Sequence, residues 1–173
     1  MMLVLSSSSM ANDWPSYGLD YTEQRHSPLA QIKKSTVPNL GLAWALDVPD
    51  AVSLLSTPLM VDGTLYFSAD RAIVHAVNAR SGKLLWTYDP KSWRHSPRSI
   101  AISFNTNRGI AYLDEKIFVG TPDGRLVALD SKTGKVVWAS RAFSIGERKT
   151  INGAPRAADG KVFIGNSGAE FGT

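Results

Sequence analysis

Few side chains in this sequence have the types and spacing to do chemistry. Arg108, in Asn107-Arg108-Gly109, carries a planar guanidinium fork that suits carboxylates, although on its own its usual role would be a surface salt bridge. Glu170, in Gly165-Asn166-Ser167-Gly168-Ala169-Glu170, offers the hard oxygen that cations prefer, yet a lone glutamate at a strand end is ordinarily just solvated. His26, His75 and His95 lack partners at useful spacing, and no Ser-His-Asp, HExxH or phosphate-loop pattern is present. The absence of cysteine excludes a disulfide framework, a thiolate metal site and a Cys nucleophile together.

The elements that must position these residues show themselves as repeats. Val61-Asp62-Gly63-Thr64-Leu65-Tyr66-Phe67-Ser68 aligns with Leu113 to Gly120, 52 residues on. Ala76 to Trp86, with its Ser81-Gly82-Lys83, aligns with Ala128 to Trp138 at the same offset of 52. A third opening element, Ala158-Asp159-Gly160-Lys161-Val162-Phe163-Ile164-Gly165, follows 45 residues after the second. Asp-Gly or Asp-Glu predicts a tight turn, and the β-branched and aromatic residues after it predict strands. Arg125 to Asp130 reads as a second strand and Lys135 to Ala139 as a third. Trp44, Trp86 and Trp138 recur at fixed places, which predicts that they pack between adjacent sheets with their indole N–H groups on a neighbouring carbonyl.

Short strands at this period describe propeller blades, and 173 residues hold about three of them where closed propellers need roughly four to eight. The fold class is therefore all-β, an incomplete β-propeller, and the chain reads as a fragment of a longer protein. Composition agrees with a globular domain: 43% hydrophobic and 20% charged residues exclude a disordered tail or a fibre. The apolar runs are strand-sized, so no transmembrane segment is expected. The net charge of +4 is spread over Lys33, Lys34, Arg94, Arg98, Arg141, Arg148 and Lys149 rather than laid out as a nucleic-acid groove, so no nucleic-acid partner is expected. Residues 1–11 read as the tail of a secretory signal or a disordered N-terminus, with Ser9-Met10-Ala11 resembling a cleavage site. Residues 12–173 read as the blades.

Asp13-Trp14-Pro15-Ser16-Tyr17-Gly18, Arg25-His26-Ser27-Pro28-Leu29, Ser56-Thr57-Pro58-Leu59, Asn107-Arg108-Gly109 and Gly165 to Gly172 together resemble the quinoprotein alcohol dehydrogenases. These are eight-bladed propellers that bind pyrroloquinoline quinone (PQQ) with calcium or a lanthanide. The resemblance implies about the first third of such an enzyme, exported to the periplasm, with a small alcohol as substrate and a cytochrome c or quinone as electron acceptor. It implies that Arg108 contacts PQQ, that the small residues Ser167, Gly168 and Ala169 let backbone N–H groups approach a cofactor carboxylate, and that Glu170 is a metal ligand. Three places depart from the family pattern. Ile102 and Ser103 stand where the family commonly has adjacent cysteines against one PQQ face, Asn152 replaces a threonine, and Leu55 replaces a glutamate. Asn152 can still donate a hydrogen bond and Ile102 can supply an apolar floor, whereas Leu55 can do no polar work. The aspartate base would lie beyond Thr173, so this stretch alone is not expected to be active. A non-catalytic PQQ-like propeller that binds protein partners, such as an outer-membrane assembly scaffold, is the alternative.

Overall fold

In the computed structural model, residues 13–49, 51–95 and 106–168 are described. The 1–11 leader reading, Ile102, Ser103, Ala169 and Glu170 fall outside them. The three tight turns form as their sequences dictate. Asp62-Gly63 has φ of 48° and 73°, Asp114-Glu115 48° and 57°, and Asp159-Gly160 49° and 69°. Positive φ at both positions makes a two-residue turn whose twist matches its strands. These turns join β1 (Leu59–Val61) to β2 (Thr64–Ser68), β5 (Ile110–Leu113) to β6 (Lys116–Gly120), and β9 (Arg156–Ala158) to β10 (Lys161–Phe163).

Strands β3 (Val74–Asn78) and β4 (Leu84–Tyr88) complete the first sheet, and β7 (Arg125–Asp130) and β8 (Val136–Arg141) the second. Both sheets are antiparallel with their strands in chain order, and β9 and β10 begin a third. The 52-residue offset survives down to irregularities: Ala76 faces Trp86 and Ala128 faces Trp138, and the register shifts immediately after each alanine. A four-residue helix, α1 (Ser92–His95), is the only α-helix among the described residues. The chain is thus an incomplete β-propeller of two four-stranded blades and the start of a third.

Burial explains how the blades hold together. Leu59, Val61 and Val74 of the first sheet share one core with Ile117, Val119, Val127 and Leu129 of the second. Between them lie Tyr66, Trp86 and Tyr112, with Tyr66 6.0 Å from Trp86 and 6.4 Å from Tyr112. The indole N–H of Trp86 donates to the Ser131 carbonyl at 2.9 Å, and that of Trp44 donates to the Ala79 carbonyl at 3.0 Å. The two acceptors are themselves 52 residues apart. Each indole lies on a turn glycine, Trp44 on Gly82 and Trp86 on Gly134, where φ is +70° and +69°. A Cβ at either glycine would stand 2.6 Å from the ring, so only glycine fits both the conformation and the space.

Trp138 corrects one expectation. It occupies the same sheet position as Trp86 and packs on Phe118 at 5.8 Å, but it is 40% exposed rather than largely buried. The reason is geometric. Trp86 is covered by the sheet that follows it, and among the described residues every position of β8 is exposed.

His75, on the face of β3 opposite Val74 and Ala76, gives the fold a pH dependence. It is buried, stacks on Phe67 at 5.1 Å and shares a hydrogen bond with the Thr87 hydroxyl at 3.1 Å. Burial holds its pKa below the ordinary 6.5. The unfolded chain therefore binds the extra proton first, so folding stability falls as pH drops through 6.5 toward the lower folded value. A denaturant midpoint that declines between about pH 7 and pH 5.5 is expected, with a shallower decline in His75→Phe. Identical slopes would contradict it.

Candidate functional site

The site grows from Asn107. Its side chain is buried and bonded on both sides: Oδ1 accepts from the Ser68 hydroxyl at 2.6 Å and from the Gly109 N–H at 3.1 Å, while Nδ2 donates to the Gly120 carbonyl at 3.0 Å. Ser68 ends β2 and Gly120 ends β6, so one amide ties the two blades at the same rim. The next residue, Arg108, is thereby presented at that rim with its side chain exposed. Its backbone N–H donates to the Asn152 carbonyl at 2.9 Å.

Asn152 in turn accepts from the Ser167 hydroxyl through Oδ1 at 2.6 Å. Ser167 is clamped by two backbone bonds with Thr150, at 2.8 and 3.0 Å. Gly168 follows, buried, with φ +115°, and a Cβ there would collide with the Arg148 carbonyl. Arg108, Asn152, Ser167 and Gly168 are thus joined by a short chain of bonds, although 60 residues separate the first from the last. The sequence resemblance assigned these four to one pocket, and the structure links them through the Arg108 and Ser167 backbones and the Asn152 side chain. That resemblance gave Asn107 no role, and the available signal was a polar residue beside the motif arginine.

Arg108 also faces two connected spaces. One, of about 460 Å³, runs along the inner strands past Leu59, Ile110 and Ala157. The other, of about 430 Å³, is lined by Tyr17, Leu55, Thr57, Arg108, Ala154 and Arg156. Leu55 therefore does stand beside Arg108, and presents an apolar side chain there. No ion pair involves the Arg108 guanidinium among the described residues.

Residues 14–144 match the family described as PQQ: glucose/ethanol/alcohol dehydrogenase, beta-propeller domain. The chain belongs to this PQQ propeller family. The 1-butanol dehydrogenase (cytochrome c) of Thauera butanivorans is 46% identical over 98% of the chain and 25% of its own length. The crystal structure of quinohemoprotein alcohol dehydrogenase from Comamonas testosteroni superposes with a TM-score of 0.82 at 44% identity, over 92% of this chain and 24% of that one. A europium-containing methanol dehydrogenase gives the same TM-score at 32% identity, over 94% of this chain and 29% of that one. The chain spans about a quarter of the length of the relatives it matches.

The PQQ family raises the question of whether the residues present fit an acidic quinone cofactor. On the described residues they do. The Arg108 guanidinium, without an ion pair among the described residues, faces the cavity where it can meet a carboxylate, and its backbone N–H is tied to the hydrogen-bonded Asn152–Ser167 pair. The metal-ligand reading of Glu170 lies outside the described residues, and among those described no cluster of three His, Asp or Glu side chains could hold a metal.

Proposed function

We propose that this chain supplies the PQQ-holding opening blades of an alcohol dehydrogenase that acts on small alcohols. The observation that carries the reading is that the Arg108 guanidinium, without an ion pair among the described residues, faces a cavity, while its backbone N–H is bonded to the carbonyl of Asn152, whose side chain holds Ser167. Arg108 would bind a cofactor carboxylate two-pronged, Asn152 and Ser167 would orient it, and backbone at Gly168 and Ala169 would approach from the other side. Glu170 would give one oxygen to calcium or a lanthanide. When bound, PQQ would supply the hydride-accepting quinone carbon and the metal would polarise its carbonyl. Ile102 and Ser103 would border the same pocket. A periplasmic setting and a cytochrome c or quinone acceptor complete the proposal, supported by the relatives' names and by the sequence resemblance.

The scaffold alternative has one observation in its favour, the apolar Leu55 beside Arg108. Against it stands the 44–46% identity to dehydrogenases along nearly the whole chain. A PQQ titration with calcium present tests the choice. In the full-length protein, wild type should bind, and Arg108→Ala should bind roughly tenfold or more weakly, because a charge-assisted contact worth about 1.5–3 kcal/mol is lost. Equal affinities, or no binding by wild type, would favour the scaffold.

A further inference from the structure

A second group of side chains meets at the cavity beside Arg108, and none of it belongs to the PQQ-contacting set. The N-terminal segment is seated on the free edge of β1: Trp14 and Met60 exchange backbone bonds at 2.7 and 3.0 Å, and the Asp13 carboxylate accepts from the Asp62 N–H at 3.1 Å. The chain then turns sharply, with the Arg25 N–H on the Gly18 carbonyl at 3.1 Å. This turn is strained. Leu19, Glu23 and Arg25 all hold positive φ, at 83°, 55° and 56°, without being glycine.

What the strained turn delivers is Tyr17 and Glu23 to β9. The Arg156 guanidinium lies 4.7 Å from the Tyr17 ring centroid and donates to Glu23 Oε1 at 2.9 Å, across 133 residues of chain. The Arg25 guanidinium lies over the same ring at 4.3 Å. Two residues before Arg156, Ala154 packs against Gly109: a Cβ on Gly109 would be 3.2 Å from that of Ala154. Two residues before that, the Asn152 carbonyl holds the Arg108 N–H. Contacts therefore run without a break from the N-terminal turn, through Arg156 and Ala154, to Arg108.

We propose that Arg156 is a positioning residue for the Arg108–Asn152–Ser167 site, held in place by Tyr17 and Glu23 of the N-terminal segment. The third blade has only two described strands, which pack on the second sheet through Ala157 and Val162, and Arg156 adds a tie from its inner strand to the N-terminal segment. Each contact is individually weak, since the ion pair is about half exposed, but a cation–π contact and an ion pair on one guanidinium act together. The idea rests on the PQQ reading for what is positioned. Its test does not use the cofactor, so the two can fail separately.

Amide hydrogen exchange of the 173-residue chain supplies the test. In Arg156→Ala and in Tyr17→Leu, protection of the Arg108 and Ser167 N–H groups should fall roughly tenfold while the amides of β3 keep theirs. Arg156→Lys should recover part of the loss, since an ammonium still meets Glu23 and the ring. Unchanged protection at Arg108 in Arg156→Ala would overturn the proposal. So would an equal loss throughout β3, which would make Arg156 a general stabiliser rather than a local one.

Discussion

Trp86→Ala is expected to lower stability by about 3–4 kcal/mol, whereas Trp138→Ala should cost about 1 kcal/mol. The two residues occupy the same place in successive sheets, so propensity and register cannot separate them. Their surroundings can. Trp86 fills the space between two blades, touches Tyr66, rests on Gly134 and gives its N–H to Ser131. Its removal leaves a cavity in the shared core and leaves the Ser131 carbonyl with only the Tyr66 hydroxyl at 3.2 Å, whereas Trp138 is 40% exposed on β8. Trp86→Phe should fall between, at about 1–2 kcal/mol, because it keeps most of the apolar contact and loses the hydrogen bond. Urea unfolding at low protein concentration would measure all three. Equal costs for the two alanine variants would mean that the interface between blades is not where the stability lies.

The same comparison shows what could be read from the sequence. The blade pattern was legible because it is local and repeated: Asp-Gly turns, strand-forming runs, and tryptophans at a fixed spacing. Even the Trp44 and Trp86 hydrogen bonds were foreseeable in kind, since a buried indole N–H seeks a carbonyl. Trp138 was misjudged because burial belongs to a residue's neighbours, and among the described residues every position of β8 is exposed. The Arg108–Asn152–Ser167 convergence was legible only through family resemblance, as nothing in composition joins position 108 to position 167. The Tyr17–Arg156 contact was not legible at all. It is a single, unrepeated meeting of residues far apart in sequence, made possible by a turn that positive-φ residues other than glycine do not announce.

Asn107 is where the fold and the site depend on the same atoms, and its variants should show it. Asn107→Ala is expected to lose about 3–4 kcal/mol, because the Ser68 hydroxyl, the Gly109 N–H and the Gly120 carbonyl all lose their partner in a buried place. Ser68→Ala removes one of those bonds together with the group that makes it, and should cost only about 1 kcal/mol. Asn107→Asp is the sharper probe. It keeps the shape and can still accept from Ser68 and Gly109, but it turns a carboxylate oxygen toward the Gly120 carbonyl, where a donor is required. Burying that charge beside a carbonyl should destabilise at least as much as alanine does at neutral pH. The loss should shrink as pH falls, since a protonated acid can donate to Gly120. Denaturant unfolding of Asn107→Asp at pH 7 and pH 5 decides the matter: a stability gap to wild type that narrows on acidification is the expected result. A gap that stays constant would show that the amide is not clamping the two strand ends, and Arg108 would then owe its position at the rim to something else.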